Sequence, residues 1–174
     1  LRLASMTGTP VRAVLVERRG NIGEGLAYGT REAVHLLNVP AGRMSAWPDR
    51  PDDFVQWARQ RYGAIQPEDF LPRMWYGEYV RETLLNAADE AGPTGQLSVV
   101  FDEVRRIARH PAGGWMVHLA KGASQRTEKI VLAIGHRPPS DPIARNWVGP
   151  RTRFMADPWR PFAMNVIQPH EPVI

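Results

Sequence analysis

The 174-residue chain has 43% hydrophobic and 23% charged residues and a net charge of +4, an ordinary globular balance that excludes disorder throughout. It contains no cysteine, which excludes disulfides, thiolate catalysis, zinc–cysteine sites and iron–sulfur clusters. No apolar run approaches the roughly 18 residues of a membrane-spanning helix, and a cytoplasmic location is expected.

Two apolar segments are predicted to be strands of a parallel sheet. They are residues 11–17 (VRAVLVE) and 129–134 (KIVLAI), which are short and rich in β-branched side chains. Near-continuous apolar runs of this kind are typical of strands buried on both faces. Weaker strands are predicted between them at residues 97–101, 103–108 and 115–120, with an antiparallel hairpin turn at residues 110–114.

Two helices are predicted between the strands. The first covers residues 51–61, where Pro51 and two aspartates suit a first helical turn. The second covers residues 74–91, and its apolar side chains recur at i, i+3, i+4 and i+7 to form one packed face. Residues 1–6 are predicted to end an earlier helix. Residues 137–172 hold eight prolines and are predicted to be irregular and extended.

Glu17 stands at the end of the first predicted strand and precedes a glycine-rich loop. An acidic residue there can accept hydrogen bonds from ribose hydroxyls in a dinucleotide-binding unit, although acidic residues are common at strand ends. Four glycines in residues 20–29 allow close approach of the backbone to a ligand, or form a plain flexible loop.

Residues 35–48 are apolar but follow no helical or strand period, so they are predicted to line a pocket, with Leu37, Val39 and Met44 mostly buried. Within them, His35 is interpreted as structural rather than catalytic. The Ala-Ile-Gly-His sequence at residues 133–136 either lets the backbone pass close to a cofactor or simply ends a strand.

Taken together, these motifs resemble those of one family. ERRGNIGEGLAYGT, HLLNVPAGRMSAWPD, FLPRMWYGEYV, VLAIGHRPP and ADPW resemble the FAD/NAD(P)-binding flavoproteins with the glutathione-reductase type of fold. More narrowly, they resemble a bacterial FAD-NAD(P)-binding group related to flavin N-hydroxylating monooxygenases. The resemblance covers essentially the whole chain. It implies an α/β fold, namely a Rossmann-like FAD-binding domain with a small antiparallel β insertion.

The resemblance also implies cofactor-binding residues. Glu17 would contact the adenosine ribose of FAD, and Val104 would lie near the adenine. Residues between 37 and 45 would lie along the flavin, and residues 134–136 would replace the Ala-Thr-Gly segment that packs on FAD in the family. The other implied cofactor-binding residues are Arg18, Leu37, Asn38, Met44, Ser45, Ile134, Gly135 and His136. No catalytic residue and no metal ligand is assigned.

The family carries two glycine motifs that these 174 residues lack, and the chain is therefore expected to be the interior segment of a longer flavoprotein. Residues 1–136 would form an incomplete FAD-binding domain with an insertion at about residues 97–120, and residues 137–174 a Pro-rich linker toward a second nucleotide-binding unit. The central strand of the sheet would be supplied by other residues or by a second copy, or the sheet would be disrupted. Self-association is one expected result.

The implied function is that of an FAD-dependent oxidoreductase reduced by NAD(P)H, monooxygenases included, acting on a small molecule that the sequence does not identify. Neither a membrane nor a nucleic acid is an expected partner. The alternatives are a nucleotide-binding module without turnover, another Rossmann enzyme such as a methyltransferase, and a nucleic-acid-binding fragment. The nucleic-acid-binding alternative rests on residues 105–174, which contain 11 Arg and Lys residues but only four acidic residues. The arginines are dispersed and form no basic helix face, which disfavours it.

Overall fold

The computed structural model describes Gly8, residues 10–135, and residues 155, 157, 163–168 and 170. The predicted helix end at residues 1–6 and most of the predicted linker lie outside these residues. The helices and strands are, in chain order, β1 (Val11–Val16), α1 (Gly25–Tyr28), α2 (Asp53–Tyr62), α3 (Arg73–Glu90), β2 (Gly95–Val100), β3 (Val104–Arg109), β4 (Trp115–Leu119) and β5 (Ser124–Thr127). Short 3-10 helices occur at Ala41–Arg43, Gly92–Thr94 and Ala163–Val166.

The strands form two separate sheets. β1 and β2 pair in parallel, in a register that joins Val11 to Gly95 and Val16 to Val100. β3, β4 and β5 form an antiparallel sheet in that order, and the predicted hairpin between β3 and β4 is confirmed. The chain thus has a mixed fold of sheet and helix, with one parallel pair and one small antiparallel sheet.

The predicted strand at residues 129–134 is wrong for this structure. These residues form no strand, and Val131, Leu132 and Ile134 are 90%, 69% and 88% exposed. A strand exists only by exchanging main-chain hydrogen bonds with a neighbour. Among the described residues, no segment pairs with residues 129–134 or with the second edge of β1. The β-branched side chains therefore favour a strand, but a strand does not form without a neighbouring segment to pair with.

The chain divides into two compact units, of which the first comprises Leu1–Gly25 and Gly77–Ile134. Its buried side chains include Tyr79, Ala91 and Leu119. The helical face predicted for residues 74–91 is confirmed, because its members are buried or half-buried whereas Leu85 and Asp89 are exposed. The members of this face are Tyr76, Tyr79, Val80, Thr83, Leu84, Ala87, Ala88 and Ala91.

The second unit comprises Leu26–Tyr76 and Gly135–Ile174. The core of its described part is formed by buried side chains of α2 and of the segments on either side of it: Leu37, Ala41, Phe54, Val55, Ala58, Ile65 and Leu71. Aromatic contacts join α2 to the start of α3. The Tyr76 ring meets Phe54 edge-on at 5.1 Å, and Trp75 stacks on Tyr62 at 3.7 Å between ring centroids. These contacts fix the irregular segments that run beside α2.

Candidate functional site

Glu17 lies at the carboxyl edge of the parallel β1–β2 pair. Its backbone N–H donates a hydrogen bond to the Val100 carbonyl at 3.0 Å, which continues the ladder one residue beyond β1. Its side chain is half-buried, and Oε1 accepts the Arg19 N–H at 2.7 Å. Within the described part of the chain, the second carboxylate oxygen has no hydrogen-bond donor. One oxygen thus holds the turn, and the other makes no hydrogen bond to a described residue.

The turn that follows β2 lies at the same edge. The buried carboxylate of Asp102 accepts the backbone N–H groups of Glu103 at 2.7 Å and of Lys121 at 3.2 Å. Arg18 Nη1 lies 3.8 Å from Glu103 Oε1, next to Val104 at the start of β3. Arg18, which the resemblance names as a cofactor-binding residue, thus lies near Glu103, the residue before Val104.

The glycine-rich loop follows Glu17 and is anchored to α3. Gly23 has a φ of +80°, and a Cβ built there would lie 3.3 Å from Val80 Cγ1, so a larger residue would be strained and crowded. The next residue, Glu24, is largely buried and forms an ion pair with Arg81 at 2.8 Å. The loop is thus held against α3, beside the carboxyl edge of β1.

In the second unit, the predicted pocket segment is held by a short antiparallel pairing. Leu36 pairs with Pro72, the Leu37 N–H donates to the Leu71 carbonyl at 2.8 Å, and the Arg73 N–H donates to the His35 carbonyl at 2.8 Å. Leu37 is 3% exposed, which confirms its predicted burial. Val39 and Met44, which the irregular apolar pattern also predicted to be buried, are half-buried, and Asn38 is exposed.

Two polar residues of this segment are engaged locally. The Ser45 hydroxyl accepts the Trp47 N–H at 3.0 Å and donates to the Arg50 carbonyl at 2.6 Å, which shapes the approach to α2. His35 Nδ1 lies 2.8 Å from Thr30 Oγ1, in agreement with a structural role. A contact of Ser45 with a cofactor remains a prediction, and such a contact would compete with this turn.

The remaining predicted site residues lie at the end of the continuously described chain. Ile134 is exposed, Gly135 has a φ of +66°, and His136 lies outside the described residues. A search of the described residues finds no group of three or more His, Asp or Glu placed to hold a metal ion. The helices that the structure describes include none long and apolar enough to cross a membrane.

Sequence reasoning missed two residues near these sites. Asp102 organises the turn between β2 and β3. In the sequence, an aspartate between two predicted strands could have indicated this turn. Phe70 is 51% exposed beside buried Leu71. In the sequence, Phe70 and Leu71 are both apolar, so hydropathy does not indicate which of the two faces solvent.

A family model described as FAD-NAD(P)-binding matches residues 1–137 of the chain. The chain belongs to the FAD-NAD(P)-binding family. No curated protein matches the sequence. Membership of the FAD-NAD(P)-binding family indicates a flavin or nicotinamide nucleotide as the cofactor.

The described residues fit a cofactor of the FAD-NAD(P)-binding family. A carboxylate with one oxygen available stands at a parallel strand edge, where ribose hydroxyls are bound in open α/β sheets. A fixed glycine turn follows it.

Proposed function

We propose that the chain is the Rossmann-like FAD-binding part of a flavin-dependent oxidoreductase that NAD(P)H reduces. The observation that carries the proposal is the position of Glu17 at the carboxyl edge of β1 and β2, immediately before the glycine turn. The family match adds that the site serves a flavin or nicotinamide nucleotide. The connection between the two parallel strands contains α2 and α3, as a crossover in an α/β sheet requires.

Glu17 favours an adenosine with free ribose hydroxyls. A carboxylate accepts hydrogen bonds from both the 2′ and 3′ hydroxyls, and it repels a 2′-phosphate. FAD meets this requirement, whereas NADPH carries the 2′-phosphate on its adenosine. The proposed arrangement has the adenine near Val104 and the ribose on the free oxygen of Glu17, with NAD(P)H binding elsewhere in the intact protein.

From the resemblance, Leu37, Asn38, Met44 and Ser45 are proposed to contact the flavin. When bound, FAD supplies the hydride and electron transfer that amino-acid side chains cannot. The chain then binds and orients the cofactor and limits the access of water to it. The proposed substrate is a small molecule, with hydroxylation by a monooxygenase as the finer form of the proposal.

A nucleic-acid partner is disfavoured by how the arginines of the basic half are used. Arg105 pairs with Glu103 at 3.3 Å, and Arg109 lies over the Trp115 ring at 4.7 Å. Arg126 donates to the Ala112 carbonyl at 2.7 Å. These guanidinium groups stabilise the antiparallel sheet, so the positive net charge of this half overstates its capacity to bind phosphates.

The experiment is a visible absorption spectrum of the intact purified protein, followed by NADH and NADPH oxidation assays. Flavin absorption bands with rapid NAD(P)H oxidation are the expected result. Bound flavin without oxidation would instead identify a nucleotide-binding module without turnover. A protein that takes up no FAD overturns the proposal. Oxygen consumption coupled to NAD(P)H oxidation separates a monooxygenase from a dehydrogenase.

A further inference from the structure

The turn from Glu17 to Glu24 is held at both of its ends. At the first end, the Glu17 N–H donates to the Val100 carbonyl of β2 at 3.0 Å. At the second end, Arg81 Nη1 of α3 donates to Glu24 Oε1 at 2.8 Å. The conformation of the turn therefore depends on two contacts with parts of the chain that are distant in sequence.

The ion pair between Glu24 and Arg81 is unequally exposed. The Glu24 side chain is 13% exposed, whereas the Arg81 side chain is 47% exposed. A mostly buried carboxylate has lost much of its contact with water, and a nearby cation offsets this cost. Without Arg81, Glu24 is expected to turn outward toward water, which would release the second end of the turn.

The backbone next to Glu24 lies against the same part of α3. A Cβ built on Gly23 would lie 3.3 Å from Val80 Cγ1 and 3.7 Å from the Arg81 backbone nitrogen. Within the turn, the Arg19 N–H donates to Glu17 Oε1 at 2.7 Å. The direction of the Glu17 carboxylate is therefore coupled to the conformation of a turn that α3 supports.

We propose that Arg81 is a positioning residue of the nucleotide site. Through its ion pair with Glu24 it keeps the turn, and with it the Glu17 carboxylate, in the conformation that binds the ribose, while its own guanidinium group makes no contact with the cofactor. The inference rests on the proposed binding of FAD. When the ion pair is lost, the binding conformation is populated only in part, and the apparent Kd rises by the inverse of that fraction. FAD and ADP share the adenosine, so both should be affected alike.

The first test needs no nucleotide. Trypsin cleaves after Arg18 and Arg19, which are exposed and lie within the turn. Cleavage requires a backbone that can leave its folded conformation. In Arg81→Ala, cleavage at these two positions should be roughly threefold to tenfold faster than in wild type, as identified by mass spectrometry. Arg81→Lys keeps the positive charge and should restore the wild-type rate. A wild-type rate in Arg81→Ala overturns the proposal.

The second test measures the Kd of FAD and of ADP by titration of the intact protein. Arg81→Ala should raise both roughly threefold to tenfold, and Arg81→Lys should restore them. Arg12→Ala is the matched control, because it removes one positive charge from an exposed position at the amino end of β1. An equal loss of affinity in Arg12→Ala would indicate a general charge effect and would overturn the proposal. Thermal unfolding of each variant checks that the fold is intact.

A double variant tests whether Arg81 acts through Glu24. Adding Glu24→Gln to Arg81→Ala should weaken binding no further, because the second substitution removes a contact that is already lost. Independent, additive losses would show that Arg81 acts by another route and would overturn the proposal. Unchanged Kd values in Arg81→Ala overturn the inference while the proposed function stands. A wild-type protein that binds neither FAD nor ADP overturns both.

Discussion

At the scale of single residues, Glu17 is the side chain on which the proposed adenosine contact depends. Replacing it by alanine in the intact protein removes a charge-assisted contact to the ribose, worth about 1.5–3 kcal/mol. The Kd for FAD should therefore rise roughly tenfold to hundredfold, measured by fluorescence titration. Glu90→Ala, an exposed carboxylate at the end of α3, is the control and should leave the Kd unchanged. An unchanged affinity in Glu17→Ala would show that the ribose lies elsewhere.

Two adjacent glycines of the β3–β4 hairpin allow the cost of backbone strain to be measured apart from the cost of steric crowding. Gly113 and Gly114 both have positive φ, +84° and +77°, but a Cβ on Gly114 would lie 2.5 Å from the Thr127 carbonyl oxygen, whereas one on Gly113 meets nothing within 4 Å. Gly113→Ala should cost about 1–2 kcal/mol of unfolding free energy. Gly114→Ala should cost roughly 1–3 kcal/mol more, because the carbonyl must move. Urea unfolding of the two variants measures the difference, and equal midpoints would contradict it.

At the scale of secondary-structure elements, the two faces of the 35–38 segment lead to opposite predictions for the stability of Leu36 and Leu37 variants. Leu37→Ala should destabilise the protein by about 2–5 kcal/mol, because it leaves a cavity in the core of the second unit. Leu36→Ala should cost less than about 1 kcal/mol, since the side chain already faces solvent. Chemical denaturation of both variants checks the pair, and similar losses would mean that the assigned faces are wrong.

Asp102 ties the β2–β3 turn to the turn between β4 and β5. Asp102→Ala removes the acceptor of the partly buried N–H groups of Glu103 and Lys121, at a cost of roughly 0.5–1.5 kcal/mol for each hydrogen bond. Asp102→Asn keeps one carbonyl oxygen and should lose about half as much. Amide hydrogen exchange should speed up at Lys121 in both variants. Protection unchanged from wild type would show that the carboxylate does not hold the turn.

The elements that the sequence predicted well are those whose signal is local. The spacing of Tyr79, Leu84 and Ala91 predicted the buried face of α3, and Pro51 with its aspartates predicted α2 to within two residues. Residues 129–134 failed because a strand depends on a partner that composition does not contain. The polar β5 was missed, since pairing with β4 rather than hydrophobicity makes it a strand.

The same distinction holds for the candidate site. Glu17 could be proposed as a site residue because it stands at a predicted strand end and because of the resemblance. The structure confirms its place at the end of β1, and its contact with a cofactor remains a prediction. The resemblance placed Leu37 along the flavin, but nothing in the sequence indicated that Leu36 and Phe70 would be exposed. Only the pairing of residues 35–38 with residues 70–73 shows which side chains face outward.

At the scale of the whole molecule, residues 1–174 alone should be colourless and should self-associate. The sequence contains no G-x-G-x-x-G segment to hold the FAD pyrophosphate. Exposed Val131, Leu132 and Ile134, together with the second edge of β1, which no described residue pairs, offer surfaces that folded proteins rarely leave open. Analytical ultracentrifugation should show association that Leu132→Lys and Ile134→Lys reduce. A yellow monomer with stoichiometric FAD would refute this.

The register of the parallel strands has a consequence for how the chain folds. Each residue of β1 pairs with a residue 84 positions later, so Val11 pairs with Gly95 only after the intervening chain has folded back. β3, β4 and β5 pair with their immediate neighbours in sequence and can form within microseconds. Among the described strand pairings, the largest loop-closure entropy thus belongs to the meeting of β1 with β2. The carboxyl edge that carries Glu17 is accordingly assembled late, and its rate of formation sets how soon a newly made chain can bind a nucleotide.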